Sequence, residues 1–143
     1  MADLNRDAHL PDLAGSLNNH ALRLVEIGRR VEAVPFSEGA VLLCRELVDL
    51  NRDAYLPNYV QSLATRGYVL VEGRLFRDAT APLAEALLAS LELPEYAQNI
   101  IGLIGELLRR AYAGDAGVAE EFRIVTGQDF PVLLKEPPSA TES

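Results

Sequence analysis

The octapeptide Leu4-Asn5-Arg6-Asp7-Ala8-His9-Leu10-Pro11 recurs 46 residues later as Leu50-Asn51-Arg52-Asp53-Ala54-Tyr55-Leu56-Pro57. Pairing residues 4–47 with 50–93 at this offset, with no gap, gives 17 identities in 44 positions, more than shared helical composition produces. The chain is therefore a repeat protein, and its core has to be built by stacking copies of one supersecondary unit. The periodicity inside each copy says what that unit is.

In residues 11–28 the apolar side chains Leu13, Leu17, Ala21, Leu24 and Ile27 recur at three- and four-residue spacing, which draws one stripe along a helix, here helix A. Asp7 is the expected cap, Pro11 is expected in the first turn, where early N–H groups lack partners anyway, and Gly28 is the expected stop. After a tight Gly28-Arg29-Arg30 turn, Val34, Ala40, Val41, Leu43, Cys44 and Leu47 form the apolar side of helix B, with Pro35 expected in its first turn or at a kink. So short a connection makes the two helices an antiparallel hairpin. The second copy repeats the plan, with helix A near 57–72 (Tyr59, Leu63, Gly67, Leu70) and helix B near 77–91 (Ala79, Leu83, Ala86, Leu87). Gly73 stands one residue early relative to Gly28, so the second turn is expected to be one residue longer, with Asp53 capping helix A and Asp78 capping helix B.

A third, degenerate unit begins at Leu93-Pro94-Glu95-Tyr96-Ala97, only 37 residues after Leu56-Pro57. Its helix A runs through Ile100, Ile101, Leu103, Ile104, Leu107 and Leu108 and breaks near Gly114. Asp115 is expected to cap a short helix B through Val118, Ala119, Phe122 and Val125 that ends at Gly127. Phe130 to Leu134 is apolar enough to dock back, and 135–143 has the polar, proline-containing composition of a disordered tail. The expected layout is one domain over 1–134: repeat 1 at about 4–48, repeat 2 at 50–93, a capping unit at 94–127 and a docked segment at 128–134.

At 143 residues, with 49% hydrophobic side chains, the chain is long enough to bury a core without metals or disulfides. Its formal charge of −8, from 13 basic and 21 acidic residues, repels phosphate backbones and argues against nucleic acid as a partner. The pairs Arg29-Arg30 and Arg109-Arg110 are expected at helix C-terminal ends, where cations suit the dipole. Cys44 is the single cysteine, so neither an internal disulfide nor a multi-cysteine metal site can form. No signal-peptide pattern and no membrane-spanning run is present, so a cytoplasmic protein without membrane contact is expected.

Small residues mark where helices approach: Ala21 and Gly67 on helix A, and alanines seven apart on helix B, Ala33 with Ala40 and Ala79 with Ala86. With glycines at the A-to-B turns, this pattern resembles the tetratricopeptide repeat, in the long-unit form found in multi-repeat proteins of high-GC bacteria. The segments Asp12-Leu13-Ala14-Gly15-Ser16-Leu17-Asn18-Asn19 and Leu24-Val25-Glu26-Ile27-Gly28-Arg29-Arg30-Val31-Glu32-Ala33 carry the resemblance, which is strong over 4–48, good over 50–93 and weak beyond. It implies an all-α, TPR-like α-solenoid of about three antiparallel helix hairpins whose A helices line a concave binding face. Two departures stand out. His20 takes a helix A place that the family usually fills with an apolar residue. Asn18, Leu22, Arg66 and Tyr68 do not reproduce the clamp by which chaperone-binding members hold a C-terminal carboxylate, so chaperone binding is not expected.

Repetition also weighs the chemistry-bearing residues, because a catalytic group need occur only once. His9 matches Tyr55, as a packing aromatic would, and His20 matches Arg66. Cys44 lies on an apolar stripe and matches Ser90, so an inert buried thiol is expected. Most carboxylates fall on polar faces or in first turns, and no phosphate loop, H-E-x-x-H, paired-cysteine or G-x-S-x-G motif is present. A non-enzymatic protein-interaction module without cofactors follows. Its partner is expected to bind through Asn18, Leu22, Val25 and Glu26 of the first repeat and Tyr68, Val71 and Glu72 of the second, an apolar floor with an acidic rim suited to an amphipathic helix or a peptide bearing Lys or Arg. The uncapped N-terminal end is a second expected contact, either with a second copy in a homodimer or with another repeat array. The alternative is a small regulatory or catalytic helical protein acting on a small ligand through His20 or the acidic groove.

Overall fold

A computed structural model describes residues 2–137, with side chains from His9 onward. Six helices follow one another: α1 (Ala2–Glu26), α2 (Arg30–Leu50), α3 (Arg52–Glu72), α4 (Phe76–Ser90), α5 (Ile100–Gly114) and α6 (Val118–Thr126), with 3-10 turns at Glu95–Ala97 and Val132–Lys135. No strand occurs among the described residues, so the fold is all-α. Each of the first four helices packs on the next, and α1 also meets α3 as α3 meets α5. The third unit departs from the hairpin plan: α6 lies chiefly on α4 and only lightly on α5. Of the stripe expected on α6, Val118 and Phe122 are buried and Val125 is exposed, and periodicity does not name the surface that covers the buried pair.

The repeated octapeptide does different work from that expected. Asn51 is the single non-helical residue between α2 and α3, and its side chain accepts the Ala54 N–H at 3.2 Å. Asn51 is thus the cap, and Asp53 sits in the first turn, where its charge suits the dipole. The first copy runs wholly inside α1, which places Asp7 within a helix rather than ahead of one. Pro35, Pro57 and Pro82 likewise stand inside their helices, beyond the first turn. A proline there leaves the carbonyl four residues back without its N–H, at a cost of roughly 3 kcal/mol in general. Here those residues are Val31, Asp53 and Asp78, all exposed, so water can take the vacated bond.

The two A-to-B turns match residue for residue. Arg29 N–H reaches Leu24 O at 2.8 Å and Gly28 N–H reaches Val25 O at 3.0 Å; Leu75 N–H reaches Leu70 O and Arg74 N–H reaches Val71 O at the same distances. Both are Schellman closures that need one left-handed residue. That residue is Gly28 (φ 83) in the first turn and Arg74 (φ 63), not Gly73 (φ −80), in the second. The second turn is therefore no longer than the first, and α4 starts at Phe76 without a side-chain cap, not at an Asp78 cap. Gly28→Ala is expected to lower the unfolding free energy by about 1 kcal/mol, since a Cβ in left-handed backbone is strained. Arg74→Gly is expected to raise it by about 0.5 kcal/mol, strain relief being offset by unfolded-chain entropy. Gly73→Ala, whose Cβ would come no closer than 3.5 Å to other atoms, should change little. Urea titrations of the three variants check all three signs.

The small-residue pattern holds in the core. Ala21, Ala33, Ala40, Ala79 and Ala86 are fully buried. The stripe of α1 is rotated from the expected one: Leu13 and Ile27 are exposed, while Leu10, Ala14, Ala21, Leu24 and Val25 are buried. At the C-terminal end the N-cap of α6 is Gly117 rather than the expected Asp115, which closes α5 and stands in the turn between the two helices; its Oδ1 accepts the Gly117 N–H at 2.8 Å, and its Oδ2 accepts from Arg77 Nε of α4 at 2.8 Å. Gly127, at φ 74, ends α6 as expected. The following segment docks through Phe130 and Leu134, whereas Val132 and Leu133 face solvent. Most of the expected tail, 138–143, lies outside the described residues.

Candidate functional site

Where α1 and α3 run side by side they enclose a groove of about 220 Å3, with Cys44 of α2 at its base. Its walls carry no charged side chain: Asn18 and Asn19 from α1 and Asn58, Gln61, Ser62 and Thr65 from α3 are polar, while Pro11, Ala14, Gly15 and Leu22 of α1 are apolar. The α3 residues recur at three- and four-residue spacing, so they form one stripe of that helix. Asn18 Nδ2 donates to Ser62 Oγ at 2.9 Å, and Ser62 Oγ lies 3.1 Å from Cys44 Sγ, which ties the three helices together. Asn18 Oδ1 is buried without a hydrogen-bond partner.

Burial pushes the Cys44 thiol up, and the Ser62 hydrogen bond opposes this only in part. The thiolate is the reactive form, so alkylation of Cys44 in the folded protein is expected to be at least 100-fold slower than in urea. Timed iodoacetamide labelling read by mass spectrometry measures this, and comparable rates in the two states would contradict the buried placement.

The expected binding residues do not form one surface. Asn18 and Leu22 line the α1–α3 groove. Val25 and Val71 are buried in the core, Val71 also reaching the edge of the basin that Glu72 lines, Tyr68 is half-buried, and Glu26 is exposed. Glu72 does not make an acidic rim: its carboxylate accepts from Arg110 Nη2 of α5 and lies 3.7 Å from Arg30 Nε of α2. Those residues, with Arg74, Phe76 and Ala113, surround a separate basin of about 520 Å3. Arg30 is the first residue of α2, the opposite end of a helix from the one expected, and Arg110 is held by Glu72 rather than by a dipole.

His20 is exposed and meets the Phe36 ring edge-on at 4.4 Å between centroids; His9 is also exposed, whereas Tyr55 packs partly into the core. Neither histidine lines the groove. The Tyr59 hydroxyl donates to Glu85 and accepts from Arg45 Nη2 at 3.1 Å, a polar link across α2, α3 and α4. Among the described residues no three His, Cys, Asp or Glu side chains converge as metal ligands, and no helix is long and apolar enough to cross a membrane. Compared with protein-family models, curated proteins and solved structures, the chain has no significant match.

Proposed function

We propose that this protein is a non-enzymatic interaction module, a TPR-like α-solenoid that holds an extended peptide segment of a cytoplasmic partner protein in the groove between α1 and α3. The observation that carries the reading is the groove between α1 and α3, lined by the amide side chains of Asn18, Asn19, Asn58 and Gln61 and by no charged side chain. An extended peptide presents backbone N–H and C=O groups at every second residue to one side, and amide side chains can accept from the first and donate to the second. Because the groove walls bear no charge, the segment bound is polar and neutral rather than rich in Lys or Arg. Repetition supports the same reading, since stacked helix pairs offer continuous surfaces for binding.

Display selection of random peptides on the purified chain tests it. Enriched peptides are expected to lose at least tenfold in affinity on Asn18→Ala and on Gln61→Ala, with both variants retaining the helical circular dichroism of the parent. Failure to enrich any peptide, or peptides that bind both variants as they bind the parent, would remove the groove as the binding site.

A further inference from the structure

The basin at the A-to-B turns shares no lining residue with the α1–α3 groove. Three guanidinium groups, Arg30, Arg74 and Arg110, surround a single carboxylate, Glu72, in a chain whose formal charge is −8. Two of the three arginines stand where local structure disfavours them. Arg30 is the first residue of α2, where the helix dipole repels a cation. Arg74 adopts φ 63 at the place that the first repeat gives to Gly28, a backbone conformation that glycine takes without strain. Locally disfavoured residues that converge on one pocket point to function rather than to folding.

Glu72 answers part of this charge, closely for Arg110 and at 3.7 Å for Arg30. Arg74 has no ion pair among the described residues; its guanidinium lies 5.6 Å from the centroid of the Phe76 ring. From these residues we infer that the basin binds a phosphate monoester, the dianion engaging the forks of Arg74 and Arg30 while the organic part of the ester rests on Phe76. Planar guanidinium donors match phosphate oxygens in pairs. The volume of about 520 Å3 exceeds what a bare phosphate fills, so an esterified group fits better. Arg30 and Phe76 are also the first residues of two helices without side-chain caps, so the positive dipole ends of α2 and α4 add to the field. The acidic surface elsewhere does not cancel it, because at physiological ionic strength charges are screened over about 8 Å.

The test is titration of the full chain, at constant ionic strength, with phenyl phosphate, inorganic phosphate and a phosphoserine peptide flanked by alanines, followed by amide chemical shifts of Gly73, Arg74 and Leu75. Saturable shifts at these amides are expected, with phenyl phosphate binding more tightly than inorganic phosphate. Arg74→Gly and Arg30→Gln are each expected to weaken binding at least fivefold. Arg74→Gly is expected to melt no lower than the parent, so its loss of binding could not be ascribed to unfolding. Tighter binding of phenyl phosphate would identify a small ester and tighter binding of the peptide a phosphorylated chain, and either supports the inference. Absence of saturable shifts with all three ligands, or affinity unchanged in Arg74→Gly, overturns it.

Discussion

Phe130→Ala is expected to lower the unfolding free energy by about 3 kcal/mol, the largest effect foreseen for any residue beyond α6. The Phe130 side chain is 4% exposed, stacked on Tyr112 of α5 at 5.2 Å between centroids and set edge-on to Phe122 of α6 at 5.4 Å. Because α5 and α6 touch each other only lightly, this ring fills the angle between them. Truncating a buried phenylalanine costs about 3–5 kcal/mol, and each aromatic pair lost is worth about 0.5–1.5 kcal/mol of that. The low end applies because the neighbouring segment is exposed and can settle into part of the space. Leu133→Ala is the control: at 73% exposed it should cost less than about 0.5 kcal/mol. Equal midpoints for the two variants in urea would mean that the segment does not dock through Phe130.

Much of the fold is legible in the sequence because repetition and helical period are local properties. The hairpin elements, the buried alanines at 33, 40, 79 and 86 and the Gly127 stop all follow from spacing and side-chain chemistry. The second turn was misread because glycine is the usual left-handed residue, and Gly73 was available one place from where it was needed. The uninterrupted match of Leu24-Val25-Glu26 with Leu70-Val71-Glu72 already indicated that the register does not slip. In the first turn Arg30 was expected at the end of one helix, and it begins the next. Docking of α6 on α4 was not legible, since a periodic stripe identifies a buried face without naming its cover. The groove was half legible: Asn58, Gln61, Ser62 and Thr65 are a polar stripe at helical spacing, and a polar stripe ordinarily faces water. Only the approach of α1 turns that stripe into a wall.

Gly67→Ala is expected to destabilise the protein by about 2 kcal/mol, although alanine is the better helix former by about 1 kcal/mol. A Cβ at Gly67 would fall 2.2 Å from Leu83 Cδ2 and 2.5 Å from its Cγ, and Leu83 is fully buried in α4. Overpacking of this kind costs about 1–3 kcal/mol, and a displacement exceeding an ångström in a closed core belongs at the upper limit. The first repeat has Ala21 at the corresponding place, where a Cβ is accommodated. Leu83→Ala by itself should cost about 3 kcal/mol through the cavity it leaves. In that background the sign of Gly67→Ala should reverse, to a gain of about 0.5–1 kcal/mol, because the new methyl enters vacated space and the helix propensity is retained. Gly15, inside α1 with nothing within 4 Å of its Cβ position, calibrates the propensity term: Gly15→Ala should stabilise by about 1 kcal/mol. Denaturant titrations of the two glycine variants, the Leu83 variant and the double variant complete the cycle. If Gly67→Ala stabilises the protein as Gly15→Ala does, α3 and α4 do not meet through this glycine and the packing of the second hairpin is wrong.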